Sequence, residues 1–311
     1  MKLMKNEKVP IILIIYNRSD KAAKVLSAIS IYEPTQLFVV ADGPKDSRDR
    51  ILCDRTRSII DNIDWDCEIF RNYADENLGC GVRPYTGITW AFESCDRAII
   101  LEDDCLPDPT FFQYCEELLY HYEEKEDVAM ISGTNFLDSS DIETSYYFSK
   151  FLHIWGWATW RRVWKNYDFN ISNWPDIKKS DLFLKRYGSR FYAQRIIRNL
   201  DRIYEGRLDV WDYQFGLMAL SFQQLGITPK VNLISNIGFG ENATHTTTAN
   251  NKFADLPLEK MAFPLIHPNV IKPNKIKDQA EMVWKYGVEP SCIDKFYNKL
   301  KILAKKAKRF L

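Results

Sequence analysis

Short apolar runs alternate with amphipathic segments over the first third of the 311-residue chain. The apolar runs predict β-strands at Ile11–Tyr16, Gln36–Ala41, Cys67–Phe70 and Arg97–Leu101. Apolar residues at helical spacing predict helices at Lys21–Ile31, Arg50–Ile63 and Pro84–Ser94, with a polar loop over Arg71–Gly81. This β-α-β-α order predicts a mostly parallel sheet with right-handed crossovers.

Polar residues follow each of the four predicted strands. These clusters are Tyr16-Asn17-Arg18, Asp42-Gly43, Asn77-Leu78-Gly79 and Glu102-Asp103-Asp104. Because the carboxyl ends of parallel strands meet at one edge of a sheet, we expect the four clusters to converge there. Open α/β sheets bind their ligands at this edge.

The acidic cluster has a chemistry of its own. Three apolar residues, Ile99–Leu101, lead into three consecutive acids and then into a Pro-Asp-Pro turn. Adjacent carboxylates repel each other unless a cation compensates their charge. Carboxylate oxygens are hard ligands that favour Mg²⁺ or Mn²⁺, and such an ion keeps coordination positions for substrate phosphates. A solvated acidic turn without a metal is the alternative, and the motif alone does not decide between the two.

The composition narrows the class of protein. The chain has 42 basic and 42 acidic residues, so no net charge points to nucleic acid. Seven cysteines without zinc-site spacing indicate reduced thiols in a cytoplasmic protein. The basic N-terminus and the apolar run Val9–Tyr16 superficially suggest a signal peptide. The run is short, contains Pro10 and lacks a cleavage site, so we interpret it as the first strand.

Two nucleotide-binding motifs are excluded. The chain has no G-x-x-x-x-G-K-[ST] sequence, so it has no P-loop. Gly79-Cys80-Gly81 lacks the third glycine of a dinucleotide fingerprint and follows the third strand, which is the wrong place. A nucleotide would therefore be held by side chains and a divalent ion.

The second half of the chain is richer in aromatic residues. A helix is predicted at Phe111–Glu126, a strand at Asp127–Ser132 and a solvated helical layer at Ser180–Glu205. Between them, Phe151–Trp164 places four tryptophans around one glycine. Tryptophans at helical spacing are typical of a hydrophobic core. They could also line a sugar-binding site, because aromatic faces pack well against the C–H surfaces of a sugar.

Residues 1–105 resemble the nucleotide-sugar-binding half of GT-A glycosyltransferases. They are similar to glycosyltransferase family 2 and, through Glu102-Asp103-Asp104, to the N-acetylglucosaminyltransferase I group. The donor-binding residues that the resemblance implies are Tyr16, Arg18 and Asp42 at the uridine, Asn77 and Gly79 in the sugar-nucleotide pocket, and Arg83 at a phosphate. Asp42 or Asn77 taken alone also fits ordinary turn chemistry.

The resemblance also divides the acidic cluster by role. It implies Asp104 as the direct ligand of Mn²⁺ or Mg²⁺ and Asp103 near the ribose or the ion. Glu102 is expected to be a positioning residue at the donor. The aromatic segment is similar to the G-W-A-x-W segment of family 2, which makes Trp155 and Trp157 candidates for the donor pocket.

A general base is expected in Arg207–Phe215. An acid among aromatic residues has a pKa raised by desolvation, which suits removal of a proton from a sugar hydroxyl. In the families resembled, the base lies at the head of the helix after the aromatic segment, and Asp212 matches that position. Asp209 is the second candidate, and either residue could instead cap the helix.

A glycine-rich loop follows at Asn236–Thr247. A similar loop lies near the diphosphate in related GT-A enzymes, which implies Thr244 and His245 there. A neutral imidazole could be a third metal ligand or a diphosphate donor, and an exposed loop histidine is the alternative.

The C-terminal segment Asp294–Leu311 has apolar residues along one face and seven basic residues elsewhere. This pattern fits a helix on an anionic membrane surface and equally a solvated helix packed on the domain.

Taken together, the sequence predicts an α/β, GT-A (Rossmann-like) fold with a mostly parallel sheet flanked by helices. The glycosyltransferase domain would span residues 1–255, with halves at 1–105 and 106–255, and a helical extension would span 256–311. The expected function is a metal-assisted, inverting hexosyltransferase that uses a nucleotide-diphospho-sugar, with UDP expected as the nucleotide. Its acceptor would be a hydroxyl in surface polysaccharide or glycolipid synthesis, at the cytoplasmic face of the membrane.

Two alternatives remain open. A nucleotidyltransferase shares the sheet and the carboxylate-bound ion, but would show a Gly-rich basic loop after the first strand. A non-catalytic carbohydrate-binding protein would keep the aromatic wall without needing the acids.

Overall fold

The structure is a computed structural model that describes residues 8–239, 253 and 256–287. The candidate residues Thr244 and His245 and the predicted tail helix Asp294–Leu311 lie outside these residues. None of the helices between residues 8 and 239 or between 256 and 287 is long and apolar enough to cross a membrane.

A mixed eight-stranded sheet forms the centre of the protein, beside a two-stranded ribbon. In chain order the strands are β1 (Ile11–Ile15), β2 (Gln36–Ala41), β3 (Glu68–Tyr73), β4 (Arg97–Glu102), β5 (Cys105–Pro107), β6 (Val128–Ser132), β7 (Tyr146–Ser149), β8 (Trp157–Trp160), β9 (Leu225–Pro229) and β10 (Ile234–Asn236). The order across the sheet is β3-β2-β1-β4-β8-β6-β9-β7, and β10 pairs with β5 in the ribbon. All strands of the sheet except β7 and β8 run in the same direction.

Helices cover the sheet and extend beyond it. They are α1 (Ser19–Tyr32), α2 (Ser47–Ser58), α3 (Gly79–Ala91), α4 (Thr110–His121), α5 (Arg161–Trp164), α6 (Trp174–Lys179), α7 (Leu182–Tyr187), α8 (Arg190–Tyr204), α9 (Asp212–Ser221) and α10 (Lys275–Tyr286). A 3₁₀ turn at Ile59–Asn62 follows α2. The predicted α/β fold is confirmed, with four consecutive parallel strands at one end of the sheet.

The three inner parallel strands β1, β2 and β4 have apolar centres because both of their faces are covered. Every residue of β1 is buried, and Ile11 pairs with Leu37 of β2 on one side and Ile99 of β4 on the other. Such strands appear in sequence as continuous apolar runs. This explains why the predicted bounds of β1, β2 and β4 agree with the structure to within one residue.

The segment between β3 and α3 differs from the prediction. Residues predicted as a polar loop extend β3 to Tyr73 and begin α3 at Gly79, so Pro84 lies inside the helix instead of at its start. The helix begins early because the carboxylate of Asp42, at the end of β2, accepts hydrogen bonds from the backbone N–H groups of Leu78 and Gly79. Gly87 then lets α3 approach β2, since a Cβ there would lie 2.2 Å from Val40.

The tryptophan-rich segment forms a strand, and the helical spacing suggested by its sequence is wrong over Trp157–Trp160. This strand, β8, lies antiparallel between β4 and β6. Trp157 stacks on Trp211 near the start of α9, whereas the indole N–H of Trp160 donates to the carbonyl of Leu119 on α4. The two side chains therefore anchor different helices to the sheet.

The region predicted as a solvated layer has its own apolar core. Helices α6 to α9 bury a cluster that includes Trp174, Phe183, Leu200 and Leu217. The predicted helix Ser180–Glu205 is divided at Gly188, which has a φ of +70° and ends α7. Ser189 then caps α8 by accepting a hydrogen bond from the backbone N–H of Tyr192.

Residues 256–287 pack against the β7 edge of the sheet. The hydroxyl of Ser149 donates to Asp278 of α10 at 2.7 Å, and the backbone N–H of Asn274 donates to the carbonyl of Phe148 at 2.8 Å. One turn further, Glu281 meets the imidazole of His153 at 3.2 Å, with both side chains at most 3 % exposed. Burial would raise the pKa of Glu281, but His153 and Lys285 outweigh it and lower that pKa.

We expect Glu281→Ala to destabilise the fold by about 3 kcal/mol, because removing one partner leaves the other buried without compensation. Urea unfolding measures the change. Lys185→Ala is the control, since it removes an exposed 2.7 Å pair with Asp181 and should cost less than about 1 kcal/mol. Equal, small effects of the two substitutions would show that α10 is not held by the His153–Glu281 contact.

Candidate active site

A cavity of about 310 Å³ opens at the carboxyl ends of β1, β2 and β4, and we call it the main cavity. Its lining contains most of the residues proposed from the sequence, namely Tyr16, Arg18, Asp42, Asn77, Gly79, Arg83, Glu102, Asp103, Asp104 and Trp155. Further lining residues are Ile14, Ile15, Lys45, Cys80, Pro84, Asn236, Gly238 and Phe239. The expected convergence of the polar loops at one sheet edge is therefore observed.

The acidic cluster forms the floor of the main cavity and is compensated by an arginine. Glu102 is the last residue of β4, and Asp103 and Asp104 are 2 % and 8 % exposed. The guanidinium of Arg18 contacts both aspartates, through Nη2 to Asp103 and through Nη1 to Asp104 at 2.9 Å. The other oxygen of Asp103 accepts a hydrogen bond from the backbone N–H of Tyr16.

Two acids of the cluster, Glu102 and Asp103, have raised pKa values. Burial, followed by the charges of Asp104 and Asp103, raises the pKa of Glu102. Burial also raises the pKa of Asp103, although Arg18 opposes the shift. Three adjacent acids share one arginine, so a further cation bound there would stabilise their ionised forms.

A short ribbon closes the cavity beside Asp104. Strand β10 pairs antiparallel with β5, and the backbone N–H of Ile237 donates to the carbonyl of Asp104 at 2.8 Å. The next residue, Gly238, lies so close that a Cβ would be 2.0 Å from Oδ2 of Asp104. Only glycine leaves room for this carboxylate.

The donor atoms fit a hard divalent ion in part. Carboxylate oxygens of Asp103 and Asp104 are of the type that Mg²⁺ and Mn²⁺ prefer. Among the residues that the structure describes, no group of three or more His, Cys, Asp or Glu side chains has metal-binding geometry. An ion here would therefore draw further ligands from a bound phosphate group or from water, as Mg²⁺ commonly does.

Tyr16 is held in one orientation at the side of the cavity. Its hydroxyl donates to Asp49, which also accepts from the side chain of Asn17 at 2.6 Å and from the backbone N–H of Lys45 at 2.8 Å. These hydrogen bonds outweigh burial and lower the pKa of Asp49. The ammonium group of Lys45 lies 5.7 Å from the centre of the Tyr16 ring.

Sequence reasoning missed both Lys45 and Asp49. The sequence does contain a pattern that indicates where α2 begins, namely the Asp42-Gly-Pro turn followed by Asp46 and Asp49. The side chain of Asp46 does cap this helix, through the N–H groups of Arg48 and Asp49. That start brings Asp49 back toward β1.

Asp42 and Asn77 join the end of β2 to the start of α3. The side chain of Asn77 donates to Asp42 Oδ2 and to the carbonyl of Gly43, both at 2.9 Å. The carboxylate of Asp42 accepts four hydrogen bonds, from Gly43, Asn77, Leu78 and Gly79. Both residues therefore fix the shape of the cavity wall.

Arg83 lines the main cavity, but its guanidinium group donates its hydrogen bonds to other residues of the protein. It is 4 % exposed, and its Nε donates to the carbonyl of Ala41 at 3.1 Å. Its Nη2 donates to the carbonyl and to the side-chain oxygen of Asn72. These contacts join the ends of β2 and β3 behind the cavity.

The two candidate tryptophans lie in different environments. Trp155 lines the main cavity, with its ring 5.7 Å from Phe239 and 5.6 Å from Phe136. Trp157 is 1 % exposed and is packed in the core behind the wall, against Trp211 and Phe215. The aromatic wall of the cavity is thus formed by Trp155 and Phe239.

Asp212 begins α9 and lines a second cavity of about 130 Å³. The other lining residues of this second cavity are Lys150, Phe151, Leu152, Ile154, Phe183, Tyr187, Tyr192, Ile196, Tyr213, Gly216, Leu217 and Lys285. The charge of Asp212 also contributes to the raised pKa of Glu102, after burial and the charges of Asp104 and Asp103. Asp212 is thus assigned to the second cavity and not to the lining of the main one.

Asp209 has a different setting, against the start of α3. A Cβ on Gly79 or Gly81 would lie 2.4 or 2.1 Å from its carboxylate, and Cys80 Sγ contacts its backbone carbonyl at 3.1 Å. A carboxylate beside a helix N-terminus is favoured by the helix dipole. This placement is the one expected of a structural anion.

Searches found no matching protein-family model and no matching curated protein. A mannosyltransferase from Pyrobaculum calidifontis, in complex with GDP-Man and Mn²⁺, is 16 % identical over 50 % of this chain and 45 % of its own, with a TM-score of 0.35. The galactosyltransferase LgtC, in complex with donor and acceptor sugar analogues, is 11 % identical over 68 % of this chain and 70 % of its own, with a TM-score of 0.34. CMP:2-keto-3-deoxy-manno-octonic acid synthetase complexed with CTP is 12 % identical over 69 % of this chain and 99 % of its own, with a TM-score of 0.31. Sequence identities and TM-scores as low as these describe only a partial likeness of fold.

We expect Gly238→Ala to lower the stability of the fold by about 1–3 kcal/mol, because the added methyl group displaces the Asp104 carboxylate. Gly216→Ala is the matched control, since nothing lies within 4 Å of its added Cβ in α9. That control should stabilise the helix by up to about 1 kcal/mol. Thermal unfolding of the two variants measures the difference, and an unchanged midpoint for Gly238→Ala would contradict the close approach.

Proposed function

We propose that this protein is a glycosyltransferase that moves a sugar from a nucleotide-diphospho-sugar to an acceptor hydroxyl. The observation that carries the proposal is the cluster of Glu102, Asp103 and Asp104 with Arg18 on the floor of the main cavity. A volume of about 310 Å³ is within the range of small-ligand sites. Excess carboxylate charge at the carboxyl edge of a parallel sheet suits a diphosphate accompanied by a cation.

In this proposal the nucleoside lies beside Tyr16. A phenol ring held by Asp49 offers a fixed face for a base, and we assign uracil as that base. Asp42, Asn77 and Gly79 shape the neighbouring wall, and Arg83 keeps the ends of β2 and β3 in place behind it. The donor sugar lies against the ring of Trp155, with Trp157 supporting this wall from the core.

Asp104 is the residue that we assign to a divalent ion, with Asp103 beside it and Glu102 positioning the donor. When bound, Mn²⁺ or Mg²⁺ would neutralise the nucleoside diphosphate as it leaves. Thr244 and His245, outside the described residues, remain proposed contacts of the diphosphate or the ion.

We assign Asp212 as the general base. Its carboxylate lines the second cavity, and in this proposal an acceptor that enters there presents its hydroxyl to Asp212, with the donor on the far side. Attack from the face opposite the leaving group inverts the anomeric configuration. Proton transfer to a placed carboxylate is worth about 10²–10⁴-fold in rate.

We assign a hexose donor and a surface-glycan or lipid-linked acceptor. The basic amphipathic pattern of Asp294–Leu311, if it places the enzyme on an anionic membrane, would bring it to such an acceptor.

We expect Asp104→Asn to weaken Mn²⁺-dependent binding of UDP at least about tenfold, because the variant loses the anionic oxygen. Calorimetric titration with and without Mn²⁺ measures the change. Asp61→Asn is the control, because that carboxylate is 70 % exposed in a surface pair with Arg71. Wild-type protein without metal-dependent affinity for UDP or GDP would instead favour a carbohydrate-binding protein.

We expect Asp212→Asn to lower kcat by about 10²–10⁴-fold while the donor KM stays nearly constant, because the base acts after the donor is bound. Asp209→Asn should keep most of the activity. Donors found by a thermal-shift screen of nucleotide-sugars supply the assay, and NMR of the product reports its anomeric configuration. A fully active Asp212→Asn variant or a retained configuration would refute this assignment.

A further inference from the structure

Arg18 occupies the position between the two aspartates of the acidic floor. One terminal nitrogen contacts Asp103 and the other contacts Asp104, so the guanidinium bridges adjacent carboxylates. Its side chain is 20 % exposed, whereas those of Asp103 and Asp104 are 3 % and 12 % exposed. A cation from the protein itself therefore compensates the charge that a divalent ion would compensate.

The charge on Arg18 is permanent. Burial alone would lower its pKa, but Asp103, Asp104 and Glu102 outweigh burial and raise it. The backbone of Arg18 is fixed at the start of α1, where its carbonyl accepts a hydrogen bond from Ala22 at 3.0 Å. The long side chain can therefore change its partner only by rotating its own torsions.

A divalent ion and the guanidinium compete for one carboxylate. Oδ2 of Asp104 has Arg18 on one side and the backbone of Gly238 on the other, and Oδ1 faces the buried thiol of Cys105 at 3.6 Å. An ion bound to Oδ2 would lie next to a second positive charge. Two cations so close to each other repel more strongly in a partly buried site than in water.

Resting on the proposed function, we propose that Arg18 is a built-in counter-ion that moves from Asp104 to the diphosphate when the donor binds. A guanidinium binds phosphate oxygens with the same bidentate geometry that it uses for carboxylates. Binding of the nucleotide thus draws Arg18 away from Asp104 and leaves this carboxylate for the ion. The bound ion in turn favours binding of the nucleotide. Mn²⁺ and the nucleoside diphosphate therefore bind cooperatively, with Arg18 as the positioning residue that couples them.

The coupling has a thermodynamic signature. The factor by which the nucleotide raises Mn²⁺ affinity must equal the factor by which Mn²⁺ raises nucleotide affinity. Coupling between two ligands is usually worth roughly 5–150-fold, and we expect a value in that range for the wild-type protein. The coupling between Mn²⁺ and the nucleotide has two sources. The share that comes from direct contact of the ion with the phosphates would remain without Arg18, whereas the share that comes from competition for Asp104 would be lost.

The test compares Mn²⁺ binding, measured by electron paramagnetic resonance of the free ion, with and without UDP or GDP. For Arg18→Gln we expect Mn²⁺ alone to bind at least about fivefold tighter than to wild type, and the enhancement by nucleotide to shrink by a similar factor. Lys45→Gln is the matched control, because it removes a cation of the same cavity that lies over Tyr16. That control should leave the affinity for Mn²⁺ alone unchanged.

The outcomes separate this proposal from the proposed function. Equal affinity of wild type and Arg18→Gln for Mn²⁺ alone would overturn the competition, even if UDP binds as expected. No binding of UDP or GDP to wild type would overturn the proposed function, while the comparison with Mn²⁺ alone still tests the competition. If Arg18→Gln does not fold, Arg18→Lys replaces it, because a lysine has one terminal nitrogen and cannot place a separate nitrogen on each carboxylate as the guanidinium does. That variant should also bind Mn²⁺ alone more tightly than wild type.

Discussion

The structure depends on how the charge of Glu102-Asp103-Asp104 is compensated at the end of a buried strand. Three acids can lie at the buried end of β4 because β1 is the neighbouring strand, with Ile14 paired to Glu102. This register brings the loop after β1 beside the acids, so that the guanidinium of Arg18 and the backbone N–H of Tyr16 meet Asp103. A shift of register would leave the carboxylates buried without partners, which costs several kcal/mol for each charge.

The same acids determine which residues can surround them. Gly238 is required beside Asp104 because a side chain would occupy the place of the carboxylate. The ribbon of β5 and β10 holds that glycine in position, although it joins segments far apart in the chain. The floor of the main cavity is therefore formed by three separate loops, and each supplies something the others lack: carboxylates, a cation, and space.

The sequence predicts the features that local pattern encodes, and long-range contacts decide the rest. Strands β1, β2 and β4 have continuous apolar centres because both faces are buried, and their bounds were predictable. The start of α3 was not, because its cap is Asp42 at the end of another strand. The position of Trp157 in the core depends on β8 entering the sheet antiparallel between β4 and β6. The pairing of Arg18 with two aspartates likewise follows from sheet order, which no spacing along the chain reveals.

The two cavities belong to different parts of the fold, and this division constrains how the protein could evolve. The main cavity is formed largely by strand ends and their loops, whose positions are set by backbone pairing in the central sheet. The second cavity includes side chains of α7, α8 and α9, which share a separate apolar core. Asp212 lines the second cavity, and Trp211, just before it, stacks on Trp157 of β8 at 5.5 Å. Substitutions in the helical core can therefore reshape the second cavity while the central sheet keeps the shape of the main one.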